Sequence, residues 1–142
     1  MVVKNSCLLP EEELGQLLDK HQVIAAYFFG SRVEGTASED SDYDFAVLVD
    51  NCYFRDDDNT LIMELAEEMQ VLLGKEVDLV VLNRASIEFR FLVIKHGRLI
   101  FSADEEQRTD FEDVVIRDYL DFKPFLELYR KEVREAIKEG YF

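Results

Sequence analysis

Two apolar runs, Val23 to Phe29 and Tyr43 to Val49, constrain this chain more than any other feature. Both are rich in β-branched and aromatic residues and read as buried strands. The link between them opens with Gly30-Ser31-Arg32, continues as a loop dominated by Ser, Glu and Asp, and closes with Asp42-Tyr43-Asp44. Residues 31–35 are expected to form a short helical turn ended by Gly35. Side chains alternate along a strand, so Asp42 and Asp44 point to the same side. By the same alternation Asp44, Ala46 and Leu48 share one face, while Tyr43, Phe45, Val47 and Val49 share the other. Two carboxylates on one side repel each other, and a divalent cation between them relieves the repulsion. A Gly-Ser turn offers backbone N–H groups to an anion. An acid pair beside an amide nest therefore points to a metal–nucleotide site.

The rest of the chain supplies helices and two more strands. Pro10 suits a first helical position, and Glu11, Glu12 and Glu13 suit the positive end of a helix running to about Lys20. Leu14, Leu17 and Leu18 make its apolar face. Asp56, Asp57 and Asp58 read as an acidic surface loop, with Asp58 or Asn59 as the cap of a second helix. That helix shows Leu61, Leu65, Met69 and Leu72 on one face, with Ile62 and Leu73 beside them, and Gly74 stops it. Val77 to Leu82 reads as a third strand with one charge, Asp78. A lone buried carboxylate costs several kcal/mol unless paired. Asp78 therefore either joins Asp42 and Asp44 or sits at the exposed end of the sheet.

Ser86 is expected to cap a helix to about His96, with Phe89, Leu92 and Val93 facing inward and Gly97 ending it. Arg98 to Phe101 is a short strand. Ser102-Ala103-Asp104-Glu105 has the pattern of a capping box that opens a last helix to about Glu139. In that helix Val115, Tyr119, Phe122, Leu126, Tyr129, Val133 and Ala136 alternate steps of four and three, the spacing of a seam against another helix. Pro124 should kink or divide it near Lys123. A helix this long overhangs a small core, so its stripe packs either within the chain or on a partner subunit. The expected architecture is α/β (α+β): a small mixed sheet flanked by helices, with the first two strands antiparallel and the second and third parallel through a helical crossover.

Bulk composition narrows the class. A length of 142 residues favours a single domain spanning 1–142, with roughly two-thirds of its unfolded surface buried. Two cysteines, Cys7 and Cys52, form no ligand pattern and fit a reducing compartment. No apolar run approaches the roughly 18 residues of a membrane span, and no signal-peptide core is present, so a cytoplasmic protein is expected. The formal net charge of −15 argues against a broad nucleic-acid footprint. It suits solubility or a basic protein partner.

Three carboxylates near adjacent strand ends can hold one or two divalent ions, the arrangement used for phosphoryl transfer. In it Asp42 and Asp44 bridge the ions, and Asp78 helps hold the one that activates the nucleophile. Ser31 and the amides after Gly30 hold terminal phosphates. Arg32 either neutralises phosphate charge or is a plain surface residue. No Gly-x-x-x-x-Gly-Lys-Ser/Thr run is present, which argues against a P-loop ATPase. His21 and His96 are isolated, against zinc, and no Ser-His-Asp set can be assembled.

The run from Gly30-Ser31-Arg32 through Asp42-Tyr43-Asp44 resembles the signature of the DNA polymerase β nucleotidyltransferase superfamily. Val77-Asp78-Leu79-Val80-Val81-Leu82-Asn83-Arg84-Ala85 and the tail around Tyr119 to Leu126 extend the resemblance to the minimal nucleotidyltransferases (MNT domains). Within these the chain is similar to the MntA-type antitoxins of HEPN/MNT toxin–antitoxin pairs. The resemblance implies metal ligands at Asp42, Asp44 and Asp78, with Mg²⁺ or Mn²⁺ as two ions, and phosphate contacts at Gly30 and Ser31. It implies ATP as substrate and transfer of AMP to a tyrosine of a HEPN ribonuclease toxin, the expected partner. Residues 103–139 are the expected contact segment. A non-catalytic antitoxin acting by complex formation, and an adenylyltransferase with a small-molecule acceptor, remain open. The same metal site would serve any of these acceptors.

Overall fold

The computed structural model describes residues 9–29, 43–50 and 60–140. The stretches 30–42 and 51–59, and with them Gly30, Ser31, Arg32, Asp42 and the expected caps Asp58 and Asn59, lie outside the described residues. The described elements are α1 (Glu11–Lys20), β1 (Val23–Phe29), β2 (Tyr43–Val49), α2 (Thr60–Leu73), β3 (Val77–Val81), α3 (Ile87–His96), β4 (Arg98–Ser102) and α4 (Glu105–Lys138). A 3-10 turn at Leu82–Arg84 follows β3.

The four strands form one mixed sheet in the order β3-β2-β1-β4. β1 is antiparallel to β2 and β4, and β2 is parallel to β3, as the crossover through α2 requires. The strand alternation divides the core into two layers. On one face Phe28, Tyr43, Phe45 and Val47 pack with Leu14 and Leu18 of α1 and Leu65 and Met69 of α2. The Phe28 and Phe45 rings lie 5.1 Å apart and are tilted, an arrangement favoured by ring quadrupoles. On the other face Tyr27, Ala46 and Leu48 pack with Leu82 and Val93, backed by Phe89 and Phe111 of α3 and α4. The face assignments for β2 read from the sequence therefore hold.

Local signals place most helix ends. Pro10 precedes α1, whose first turn holds three glutamates. Gly74 ends α2 with φ of +70°, a left-handed conformation that glycine adopts without a Cβ clash. Ser86 caps α3 by accepting the Phe89 N–H at 3.1 Å. His21 is buried, and its Nε2 lies 2.8 Å from Glu68 Oε1, which ties the end of α1 to α2. Tyr27 donates to Glu112 Oε2 at 2.6 Å beneath α4, and Arg108 Nη1 donates to the same oxygen at 2.9 Å. Burial first and the Glu112 carboxylate second push the Tyr27 phenol far above its ordinary pKa.

Four expectations change. The cap of α4 is Asp104 rather than Ser102: its carboxylate accepts the Gln107 N–H at 3.0 Å and its other oxygen accepts from the Gln107 side chain. Ser102 is the last residue of β4, and its hydroxyl accepts from Arg108 Nε. β3 stops at Val81, because Leu82 turns into the 3-10 segment and is fully buried there. Leu92 is 53% exposed; the inward face of α3 is set by Phe89 and Val93, one turn apart. Pro124 does not divide the last helix, which runs through it as a single 34-residue element.

Candidate active site

Asp44 and Asp78 are direct partners in the parallel β2–β3 pairing. Paired residues on neighbouring strands project to the same side, about 4.8 Å apart at the backbone. The two acids therefore share the sheet face that carries Ala46 and Leu48 beneath α3 and α4. Asp44 is half-buried on a central strand and Asp78 is exposed on the edge strand. Asp78 thus stands in register with Asp44 and faces solvent, so its charge meets no full desolvation cost, while Asp42 lies outside the described residues.

The row continues into β1. Phe29 is the antiparallel partner of Asp44, and its ring meets Phe89 of α3 edge-on with centroids 5.4 Å apart. One side of the acid pair is therefore an aromatic wall and the other is open. Periodicity could not reveal the wall, because it depends on which β1 residue comes opposite Asp44.

The register that opposes the acids is clamped at both ends. At the start, the Tyr43 N–H donates to the Glu76 carbonyl at 3.0 Å, and the Val77 N–H donates to Gln70 Oε1 of α2 at 3.2 Å. At the far end, the Asn83 side chain imitates a strand: Oδ1 accepts the Val49 N–H at 3.0 Å and Nδ2 donates to the Val49 carbonyl at 2.7 Å. Arg90 then holds the turn that carries Asn83, donating to the Leu82 carbonyl at 2.8 Å and to the Asn83 carbonyl at 2.6 Å. A slip of one residue would turn Asp78 to the opposite face. Asn83 and Arg90 were not singled out in the sequence, where an Asn after a strand reads as a turn.

The donor set fits a divalent cation. Two carboxylates on one face, that of Asp78 open to solvent, offer the hard oxygen ligands that Mg²⁺ or Mn²⁺ accepts. Among the described residues there is no group of three His, Cys, Asp or Glu able to hold a metal, and the third expected acid, Asp42, is outside them. Among the described residues no helix is long and apolar enough to cross a membrane.

The family described as polymerase beta, nucleotidyltransferase, matches residues 12–106. A protein adenylyltransferase of Shewanella oneidensis, MntA, is 34% identical over 89 residues, 63% of this chain. The match spans 60% of that relative's length. The fold is also similar to a solved toxin–antitoxin structure with AMP-PNP, with a TM-score of 0.73 at 27% identity over 89% of this chain and 99% of that one. A second solved structure, a tri-AMPylated Shewanella oneidensis HEPN toxin in complex with an MNT antitoxin, matches with a TM-score of 0.67 at 25% identity, covering 87% of this chain and 95% of that one.

Proposed function

The chain belongs to the polymerase beta nucleotidyltransferase family, and from that premise we propose that it is an antitoxin that transfers AMP from ATP to a tyrosine hydroxyl of a cognate HEPN ribonuclease toxin. The observation that carries this reading is the in-register pair Asp44 and Asp78 at the open edge of the sheet. In the proposed reaction the tyrosyl oxygen bonds to the α-phosphorus, the bond from that phosphorus to the bridging oxygen of the β-phosphate breaks, and pyrophosphate leaves. The tyrosyl proton departs on the side of the exposed Asp78 carboxylate.

Asp42, Asp44 and Asp78 would hold two Mg²⁺ or Mn²⁺ ions. Bound there, the ions supply charge neutralisation for the phosphates and a lowered pKa for the attacking hydroxyl. Gly30 and Ser31 would present amides to the phosphates, with Arg32 adding positive charge beside them. The role of Asp44 rests on its position: half-buried, flanked by Phe29, and set by a clamped register. An ATP donor and a ribonuclease target place the reaction in the cytoplasm. We read residues 1–142 as one nucleotidyltransferase domain, with 103–139 as the segment that contacts partners. Exposed Leu120, Phe125, Leu128 and Tyr129 on α4 support that use.

Those exposed apolar residues also favour a second reading, in which the chain silences its partner by binding alone. Intact-protein mass of the neighbouring gene's product, after incubation with this chain, Mg²⁺ and ATP, separates the two. One or more adenylyl groups gained with the wild type, and none with Asp44→Asn, establish transfer. Unchanged mass beside a stable complex establishes binding alone. Unchanged mass with no complex moves the acceptor to a small molecule.

A further inference from the structure

Two features on opposite sides of the sheet complement each other. The first is a groove between α1 and α2 with a cavity of about 640 Å³. Leu17 and Leu72, both half-buried, give it an apolar floor, and Val71, 85% exposed, stands at its lip. Glu13, Glu67 and Glu68 stand at its rim with Lys20. α1 and α2 together hold seven acids and one base, Lys20, which pairs with Glu68, while Glu11 pairs with Arg98 of β4.

The second feature is the distal half of α4. Val115 is buried and Tyr119 stacks on Phe91 at 3.9 Å, so the proximal half packs on the body. Beyond Phe122 the helix continues with Phe125, Tyr129 and Ile137 at 67%, 65% and 55% exposure. Its charge also reverses: residues 105–121 hold seven acids and two arginines, whereas residues 122–138 hold five bases and three acids. A basic, apolar arm thus extends from a chain whose formal net charge is −15. Arg130, midway along the arm, pairs with Glu88 of α3.

We propose that the distal half of α4 docks into the α1–α2 groove of a second copy of this chain. The charge signs match, an apolar arm covers an apolar floor, and both features are partnered by one contact. α4 packs on the opposite sheet face from α1 and α2, and the groove is lined by α1 and α2 alone, so the arm reaches the groove of another copy. Reciprocal exchange of arms closes the contact as a two-fold dimer. The site of Asp44 and Asp78 lies on the other face and stays open. The arm is also the segment read above as meeting the toxin, so the self-contact is that of the chain without toxin, and the chemistry of the acid site does not depend on it.

Sedimentation of the isolated 142-residue chain tests it. The expected result is a concentration-dependent dimer that weakens as NaCl rises from about 0.1 to about 1 M, where the screening length falls from about 10 to about 3 Å. Val71→Asp puts a charge on the apolar lip of the groove and Tyr129→Asp removes an arm anchor, each weakening self-association about tenfold or more, as for an interface anchor. Both positions are exposed, so the far-ultraviolet circular dichroism should be unchanged. Mixing the two variants should restore a heterodimer, because the Val71→Asp chain keeps its arm and the Tyr129→Asp chain keeps its groove. A wild type that stays monomeric overturns the proposal and assigns both surfaces to other proteins. A dimer indifferent to Val71→Asp, or variants that fail to complement on mixing, overturns it in favour of arm-to-arm pairing.

Discussion

Asp44 and Asp78 face each other across the only parallel strand pair among the described residues, one on a central strand and one on the edge. The chain between them runs through the rest of β2 and the whole of α2 before it returns as β3. Their juxtaposition is a property of register, and register here is held by backbone and amide hydrogen bonds outside the acids themselves.

Asp78→Asn should abolish most adenylyl transfer while leaving the fold intact. The residue is exposed, so the change in stability should stay within about 0.5 kcal/mol, as for most surface substitutions. The loss of a carboxylate that would hold an ion and take the tyrosyl proton should lower the rate by roughly 10²–10⁴-fold. Transfer assayed beside thermal unfolding checks both; full activity in Asp78→Asn would remove it from the site.

Mg²⁺ should raise the melting temperature of the wild type without any nucleotide or acceptor. Carboxylates crowded on one face repel, and an ion that binds only the folded chain stabilises it by mass action. The gain should shrink in Asp44→Asn and in Asp78→Asn. Equal gains in wild type and both variants would mean that the ion binds elsewhere.

Asn83→Ala should destabilise the fold and blunt transfer together. Val49 is buried, and the substitution strips partners from both its N–H and its carbonyl. An unsatisfied buried backbone group costs about 1–3 kcal/mol. Chemical denaturation measures the loss. Asn83→Asp, which keeps the acceptor for the N–H but loses the donor, should fall between wild type and Asn83→Ala.

Glu68 should contribute to stability on the acid side. Its carboxyl is held below the ordinary value of 4.5, first by the hydrogen bond with His21 and then by the one from Lys20. A carboxylate lowered by folding stabilises fully above its unfolded pKa, and that stabilisation is lost as pH falls through the folded pKa. The wild type should therefore lose stability below about pH 4.3 more steeply than Glu68→Gln. Melting curves of both between pH 3 and 6, values spanning roughly the carboxylate range, check the slope; parallel curves would sink the assignment.

Much of the architecture was legible in the residues because it depends on local period and local chemistry. Alternation in Tyr43–Val49 predicted which residues enter each core layer, and both layers contain them. Gly74, Ser86 and Pro10 marked helix ends through φ, a hydroxyl acceptor and a missing N–H. Leu92 was misread because α3 meets the sheet through a narrower stripe than its apolar content suggests. Ser102 was misread because two capping residues stood two positions apart, and β4 took the first.

The sequence by itself determined the side of each strand a residue faces, the order of the described elements and the family signature from Gly30 to Asp44. Only the tertiary structure decided that Asp78 comes opposite Asp44, that Phe29 completes the row, and that β3 is the edge that leaves Asp78 in water. Period is a property of one strand. Register and strand order are properties of several elements at once, settled where α2 packs on the sheet and where Glu76 and Asn83 hydrogen-bond the two ends of β2.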